Sequence, residues 1–435
     1  MSHLAINGGE KVRTRPFPAY NMIGKEEEEA VVKVMRSGIL SRFLGSWHRD
    51  FYGGPAVQAL EREWAAYYNV KHAIAVNSAT SGLYCAVGAT GAGPGDEIIV
   101  SPYTMSASAT AALVYNAIPV FADIEEDYFC LDPDSVEERI TPRTKAIVVV
   151  DIFGLPYDAE RINSIAEDHN LTVIEDAAQA PGVKSKGRYA GTLGHIGVYS
   201  LNYHKHIHSG EGGIIVTDDD ELAERMRLIR NHAEAVVEQM GRTHLVNMLG
   251  FNFRMTEIEA AIAREQLKKL EGIMENWLNN VTYLEEKLAD IPCLVMPRVR
   301  PGCEHAYYVH PVKFRSDVAG ISRERFVDAV RAELPHYVNR EGEGVKIGCG
   351  YVQPLYLQPL YQQKTVYGDK GFPFVAPFYH EEVRYEKGIC PVCEKMYDTQ
   401  LITHELMRPS LSGDDLDDVA SAFAKVWKYR GELKG

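Results

Sequence analysis

Short runs of apolar, β-branched residues alternate with amphipathic stretches through the first two-thirds of the chain. Seven such runs predict strands at residues 73–76, 97–100, 118–121, 146–150, 171–175, 198–201 and 214–217. Their apolar character is continuous rather than alternating, which marks strands covered on both faces. Helical spacing lies between them, as at residues 159–169 and 219–230. The rhythm predicts an α/β domain on a mostly parallel seven-stranded sheet, with a ligand crevice at the C-terminal strand ends.

Thr256-Glu257-Ile258-Glu259 has the pattern of a capping box and opens a helical stretch running to about residue 290. Leu267, Leu270, Met274, Trp277, Val281, Leu284 and Leu288 fall near helical spacing, and Pro292 and Pro297 end the pattern. The domain boundary is placed inside this helix, giving a large domain over residues 1–275 and a smaller C-terminal α+β domain over residues 276–435. The smaller domain has an expected strand at 307–314 and expected helices at 323–332 and 414–427. Residues 368–395 are aromatic and charged without a clear period and read as a loop-rich insertion. This aromatic C-terminal region is expected to set substrate identity.

At 435 residues the chain can bury a large core, and its formal charge of −14 argues against non-specific nucleic-acid binding, which needs a basic face. The start, Met1-Ser2-His3-Leu4-Ala5-Ile6, lacks the basic and apolar regions of a signal peptide, and no apolar run approaches a membrane-spanning length. Seven scattered cysteines fit reduced thiols better than a disulfide framework. Together these features predict a cytoplasmic enzyme with no membrane and no nucleic-acid partner.

The chemistry concentrates at strand ends. Lys205 follows the 198–201 strand and precedes Gly210-Glu211-Gly212-Gly213, and Asp176 ends the apolar run Leu171, Val173, Ile174. A lysine and an aspartate so placed are what pyridoxal phosphate (PLP) needs. The amine forms a Schiff base with the cofactor aldehyde, and the carboxylate keeps the pyridinium nitrogen protonated so that the ring draws electrons. Asn77-Ser78-Ala79-Thr80-Ser81-Gly82 follows the first strand and opens a helix, whose free N–H groups and the Thr80 and Ser81 hydroxyls suit a phosphate. Ser200, at a neighbouring strand end, can reach the same anion.

Two further patterns are read as non-metal. His204, His206 and His208 alternate, but they interleave with Lys205 and enter a glycine turn. Cys390-Pro391-Val392-Cys393 has CxxC spacing without a second ligand pair, so it reads as two reduced thiols.

Taken together, these segments resemble the DegT–StrS family of sugar aminotransferases, PLP enzymes of fold-type I. The likeness extends from Ile23-Gly24-Lys25-Glu26 to Cys390-Pro391-Val392. It is most specific at Pro94-Gly95-Asp96-Glu97, Thr141-Pro142-Arg143-Thr144-Lys145-Ala146, Glu175-Asp176-Ala177-Ala178-Gln179, Lys205 with its glycine turn, and Asn252-Phe253-Arg254-Met255-Thr256-Glu257. The resemblance implies that Lys205 holds the cofactor and later moves the proton, that Asp176 binds the ring nitrogen, and that Gln179 contacts the ring hydroxyl side. It implies phosphate binding by Thr80, Ser81 and Ser200, with Asn252 reaching the phosphate from the partner subunit of a homodimer with shared active sites. It places Tyr20, Asn21 and the 305–308 stretch, including His305 and Tyr307, at the substrate rim. One position departs from the family: Met105 stands where an aromatic residue usually stacks on the cofactor ring. A thioether packs on a π-face, and Tyr103 is the alternative.

The expected activity is transfer of an amino group from glutamate or glutamine to a keto-sugar, most naturally a nucleotide-linked deoxy-ketosugar, with a ketocyclitol as the nearest alternative acceptor. Two other classes stay open. A PLP-dependent sugar dehydratase would carry histidine in place of the lysine. A non-catalytic PLP-binding regulator would keep the cofactor residues without turnover.

Overall fold

The seven apolar runs form the strands of one sheet in the computed structural model, which describes residues 2–434. They are β1 (His72–Val76), β2 (Glu97–Val100), β3 (Ile118–Phe121), β4 (Thr144–Val150), β5 (Thr172–Asp176), β8 (Ile196–Ser200) and β9 (Gly213–Thr217); a two-residue hairpin, β6 (Lys184–Ser185) and β7 (Arg188–Tyr189), intervenes. The expected bounds agree to within two residues at every end. Met1 and Gly435, the outer limits of the two expected domains, lie outside the described residues.

The sheet order is β1-β9-β8-β5-β4-β2-β3. Five neighbours, β8, β5, β4, β2 and β3, pair in parallel, whereas β9 runs antiparallel to both β1 and β8. Helices cover both faces, so the strands carry buried residues on both sides. The register aligns Val150 with Asp176 and Asp176 with Val198. The C-terminal ends of β4, β5 and β8 therefore form one edge, where polar residues follow the buried runs.

Helices α1 (Lys25–Ser37), α2 (Pro55–Tyr68), α3 (Ala79–Ala89), α4 (Ala107–Val114), α5 (Pro133–Arg139), α6 (Ala159–Asp168) and α7 (Asp220–Arg230) precede the long α8 (Glu257–Leu288). The capping box of α8 forms as expected: Thr256 N–H donates to Glu259 Oε2 at 2.8 Å and Glu259 N–H to Thr256 Oγ1 at 3.3 Å. Its expected apolar stripe is buried from Leu267 to Leu288.

A four-stranded antiparallel sheet, ordered β10 (Leu294–Val295), β11 (His310–Phe314), β13 (Leu401–His404), β12 (Ile347–Cys349), organises the C-terminal part, with helices Arg323–Glu333 and Gly413–Tyr429. The first residues of the chain pack here too. Arg13 N–H bonds Glu333 O at 3.1 Å, Phe17 N–H bonds His336 O at 3.0 Å, and the Arg13 guanidinium sits 2.7 Å from Asp415.

The aromatic stretch after residue 350 returns to the large sheet. Tyr356, Tyr361 and Tyr385 pack around Phe121 of the edge strand β3, with ring centroids 5.4–5.6 Å away. The Tyr385 hydroxyl donates to Pro119 O at 2.7 Å and the Tyr379 hydroxyl to Glu97 at 2.8 Å. Most of this aromatic surplus thus covers an exposed sheet edge. The expectation that it sets substrate identity is corrected for these rings. Within this region it is Tyr351 that reaches the site described below.

Candidate active site

Three chain segments meet at the sheet edge because glycines let them. Gly213 begins β9 and pairs with both Val76 and Ser200. A Cβ on Gly213 would lie 2.6 Å from Ala79 N and Ser78 C, so the β9 backbone touches the first turn of α3. A Cβ on Gly82 would lie 2.8 Å from Val198, so α3 also rests directly on β8. The start of α3, the end of β8 and the glycine turn are therefore one small cradle. Ser78 caps α3, accepting the Ser81 N–H at 3.1 Å.

Thr80 and Ser81 occupy that first turn, as expected, but differ in availability. Thr80 is half-buried, whereas Ser81 is buried and its hydroxyl donates to Asn77 Oδ1 at 2.5 Å. Ser81 serves the cap in this state. Ser200 lies half-buried beside the cradle, its hydroxyl accepting the Asn202 N–H at 3.3 Å.

Lys205 sits in a loop closed at its base by three backbone hydrogen bonds: Leu201 N–H to Gly212 O at 2.9 Å, Ser209 N–H to Leu201 O at 3.0 Å and Tyr203 N–H to Gly210 O at 2.9 Å. Gly210 (φ 87°) and Gly212 (φ 151°) turn the chain where a side chain would be strained. Lys205 Nζ stands 4.1 Å from the ring centroid of Tyr308. Burial brings its pKa down to about 8 from 10.5, against the opposing attraction of Asp176 and then Glu405. The flanking histidines are engaged elsewhere. His206 is buried with its Nε2 2.9 Å from Ala306 O, and His204 Nδ1 lies 3.0 Å from Arg340 Nη1.

Asp176 closes β5 and is 5% exposed. Its Oδ2 accepts the Ser108 hydroxyl at 2.8 Å and its Oδ1 the Ala178 N–H at 3.2 Å. Burial raises its pKa, while Ser108, Ala178 and Lys205 pull the other way. The preceding Glu175 has a different task. It accepts the N–H groups of Gly191, Leu193 and Gly194 at 2.6, 2.8 and 3.1 Å, pinning the turn before β8.

Gln179 lies under the same edge, with Oε1 accepting the Phe153 N–H at 2.7 Å and Nε2 donating to the Tyr351 hydroxyl at 3.1 Å. Met105 is 62% exposed on the loop after β2, whereas Tyr103 is wholly buried, edge-on to Phe153 and Tyr351. Tyr103 is thereby removed as the alternative for stacking on a ligand, and Met105 remains.

The substrate-rim expectations divide. Tyr20 is half-buried beside the Lys205 loop, its hydroxyl donating to His206 O at 3.1 Å, and Asn21 is exposed next to it. His305 and Tyr307 are instead interior. Their rings stack on each other at 3.9 Å, and Tyr307 O accepts the Trp277 indole N–H at 2.9 Å. Both are corrected from rim to packing residues. Tyr308 is the member of that stretch that meets Lys205. Asn252 is exposed, accepting from Arg254 Nε at 2.7 Å, and the adjacent Phe253 carbonyl accepts the Asn77 N–H at 2.9 Å.

These residues fit PLP on their own geometry. A buried carboxylate with only two neutral donors suits a protonated ring nitrogen. A half-buried amine whose pKa is brought down suits an aldehyde, and an open helix start with hydroxyls suits a phosphate. The sequence profile of the DegT/DnrJ/EryC1/StrS aminotransferase family matches residues 21–376.

The chain belongs to this aminotransferase family.

It is 33% identical over 446 residues to an L-glutamine:2-deoxy-scyllo-inosose aminotransferase of Streptoalloteichus tenebrarius, with 99% of each chain covered. It is 32% identical over 414 residues to the spore coat polysaccharide biosynthesis protein SpsC of Bacillus subtilis (strain 168), covering 94% of this chain and 96% of that protein. Its fold is similar to that of DesI, whose structure was determined in the presence of its TDP-sugar product, with a TM-score of 0.78, 27% identity and coverage of 99% of this chain and 97% of that one. Membership makes the protein a transaminase of the fold-type I class, whose members generally use PLP. Among the described residues no helix is long and apolar enough to cross a membrane.

Sequence reasoning missed Ser78, Ser108 and Tyr351 as members of the site. Ser108 could have been found by the logic applied to residues 77–82, since it too lies in a small-residue helix start after a strand. Tyr351 gives no such signal, because its loop carries neither period nor motif.

Proposed function

We propose that this transaminase takes its amino group from glutamine or glutamate and delivers it to the ketone of a cyclic polyol, working as a homodimer. The observation that carries the reading is that Lys205, rather than a flanking histidine, stands within the electrostatic reach of Asp176. That arrangement favours transamination over the histidine-based dehydratase chemistry.

When bound, PLP supplies an aldehyde for the amine and an electron-withdrawing ring. In this account Asp176 holds the ring nitrogen protonated, with Ser108 fixing the carboxylate. The α3 N–H groups, Thr80 and Ser200 hold the phosphate, and Asn252 of the partner subunit adds a further donor. Gln179, itself braced by Tyr351 and Phe153, would contact the ring hydroxyl side, and Met105 would supply a thioether for packing against the ring. Lys205 Nζ is neutral in a large fraction of molecules near pH 8. It takes the proton from the donor's α-carbon and returns it on the far side of the transferred nitrogen.

A ketocyclitol is the favoured acceptor, supported by whole-length likeness to a 2-deoxy-scyllo-inosose aminotransferase. A nucleotide-linked deoxy-ketosugar moves to second place, supported by the likeness to DesI. The test is single turnover. The amine-loaded enzyme is mixed with 2-deoxy-scyllo-inosose or with TDP-linked ketosugars, and return of the aldehyde-form absorbance is followed. Rapid return with the cyclitol supports the first reading and return with the nucleotide sugars alone supports the second. Return with neither class overturns the assignment of a cyclic polyol ketone.

A further inference from the structure

Two further carboxyls lie behind Asp176, on Asp151 and Glu175. Glu175 pairs in register with Val149, and Asp151 stands two residues beyond Val149, which carries both side chains toward the sheet face opposite Asp176. Asp151 N–H extends the ladder, donating to Asp176 O at 3.1 Å. Both side chains are wholly buried. Their donors are unequal. Glu175 accepts the Gly191 N–H on one oxygen and the Leu193 and Gly194 N–H groups on the other. Asp151 accepts the Tyr157 N–H on Oδ1 at 3.0 Å, and its buried Oδ2 has no donor.

An ionised Asp151 does not fit this setting. Two neighbouring carboxylates repel in an interior that screens poorly, and a buried charged oxygen without a donor has lost its hydration with nothing in return. The other titratable neighbours are Asp176, Cys130, Tyr157 and Tyr199, none of them basic. Burial pushes the thiol and both phenols up, so they stay neutral. Arg188, whose charge is felt at Tyr157, is exposed. A protonated Asp151 removes both difficulties. Its Oδ2 becomes a donor, and Glu175, which already accepts on both oxygens, is the acceptor. Burial first, and then the Glu175 charge, hold the Asp151 carboxyl well above the usual carboxylate range, in the same sense.

We propose that Asp151 is a carboxylic acid in the working protein, that its proton binds it to Glu175, and that this bond positions the turn from which Gln179 is held. Asp151 opens that turn: its carbonyl accepts the Gly154 N–H at 3.1 Å, and its Oδ1 the Tyr157 N–H. Phe153 stands at the bend with φ 58°. Its N–H holds Gln179 Oε1 at 2.7 Å, and its carbonyl accepts the Tyr308 N–H at 2.8 Å. Asp151 is thus a positioning residue. It acts on the cofactor through Gln179, and that part rests on the reading that Gln179 contacts the ring hydroxyl side.

The proton is read by carbon NMR of PLP-saturated protein isotopically labelled at the aspartate carboxyls. One signal should keep the shift of a protonated acid at neutral pH. Asp123 and Asp176 are the other aspartates whose pKa burial raises. The signal should persist in Asp123→Asn and Asp176→Asn, which assigns it even if Asp151→Asn does not fold, and should vanish in Asp151→Asn. Stability reports the same proton. Because the folded-state pKa is raised, the contribution is whole below the unfolded value of about 4 and is lost as pH rises toward the folded value. Asp151→Asn keeps a donor and has no proton to lose. It should gain on the parent above about pH 4, by up to about tenfold in the unfolding equilibrium per pH unit. Asp151→Leu, without a donor, should weaken PLP binding about 10-fold, the loss of a buried hydrogen bond, and Asp151→Asn should recover most of it. No protonated aspartate at neutral pH, a signal that vanishes in Asp123→Asn or Asp176→Asn, or a parent-to-Asn difference that is flat with pH would overturn the proton. Equal PLP affinities in the Leu and Asn variants would overturn the positioning role. If the parent binds no PLP, the cofactor reading itself fails, and the carboxyl signal of the unloaded protein still decides the proton.

Discussion

The state of the Lys205 amine can be read before any cofactor or substrate is present. Burial sets its pKa at about 8, against 10.5 for a solvated lysine, with Asp176 opposing the shift. At pH 8 half of the Lys205 amines are then neutral, whereas an ordinary lysine is neutral in about 0.3% of molecules. The apoprotein should present about 150-fold more reactive amine at that site than at an exposed lysine. Trace acetylation of the apoprotein from pH 6 to 11, with mass spectrometry of the Lys205 peptide against exposed lysines, measures this directly. The expected midpoint is about 8. Asp176→Asn removes the attraction that favours the charged amine, so its midpoint should fall below the parent value. The same shift has a sign in stability. Below pH 8 both folded and unfolded chains carry the proton, and the folded state bears the full cost of burying it. Between pH 8 and 10.5 the unfolded chain still binds the proton while the folded chain has released it, so stability rises with pH. Lys205→Met should therefore stabilise the apoprotein most near pH 7, by at most about 3 kcal/mol, with the gain fading toward pH 10.5. A Lys205 midpoint near 10, or a rise in the midpoint on Asp176→Asn, would refute the reasoning.

Further outcomes follow from the same geometry. Asp176→Asn should fold and bind cofactor but lose about 100-fold or more in single-turnover transamination, because a neutral amide does not hold the ring nitrogen protonated; near-parental rates would remove Asp176 from that role. Gly213→Ala puts a methyl group 2.6 Å from the α3 backbone, an overpacking expected to cost about 1–3 kcal/mol in denaturant melts and to weaken cofactor binding; unchanged stability and affinity would mean that the cradle yields freely. Mixing inactive Lys205→Ala subunits with Asn252→Ala subunits tests the shared site. Activity should reappear in the heterodimer if Asn252 serves the partner's phosphate, and a flat profile with confirmed heterodimers would place Asn252 in its own subunit's site.

The strands and the central lysine–aspartate pair were legible because their signals are local. A buried strand in a parallel sheet must be apolar throughout, and a polar residue at its end is conspicuous, as Asp176 is after Val173 and Ile174. The glycine turn of residues 210–213 was legible for the same reason, and Gly213 proved to be the point of contact with α3. Assignments that depend on long-range packing were less visible. His305, Tyr307 and Tyr308 are neighbours in sequence, yet the positive φ of Tyr307 (49°) accompanies a turn after which only Tyr308 meets Lys205. The aromatic residues near the C-terminus looked like a binding surface because nothing local shows that β3 is an edge in need of cover. Ser81 is expected at a phosphate from its place in a helix start, its hydroxyl and the family resemblance, whereas its bond to Asn77 depends on the geometry of the cap. Tyr351 reaches Gln179 across 172 residues of sequence, a separation across which sequence pattern carries no information about contact.

The most direct test of the central claim is borohydride reduction of the cofactor-saturated protein followed by peptide mapping. The account predicts one pyridoxyl group per subunit, on Lys205, and none on Lys205→Ala. A label on another lysine, or no label in saturated protein, would contradict it.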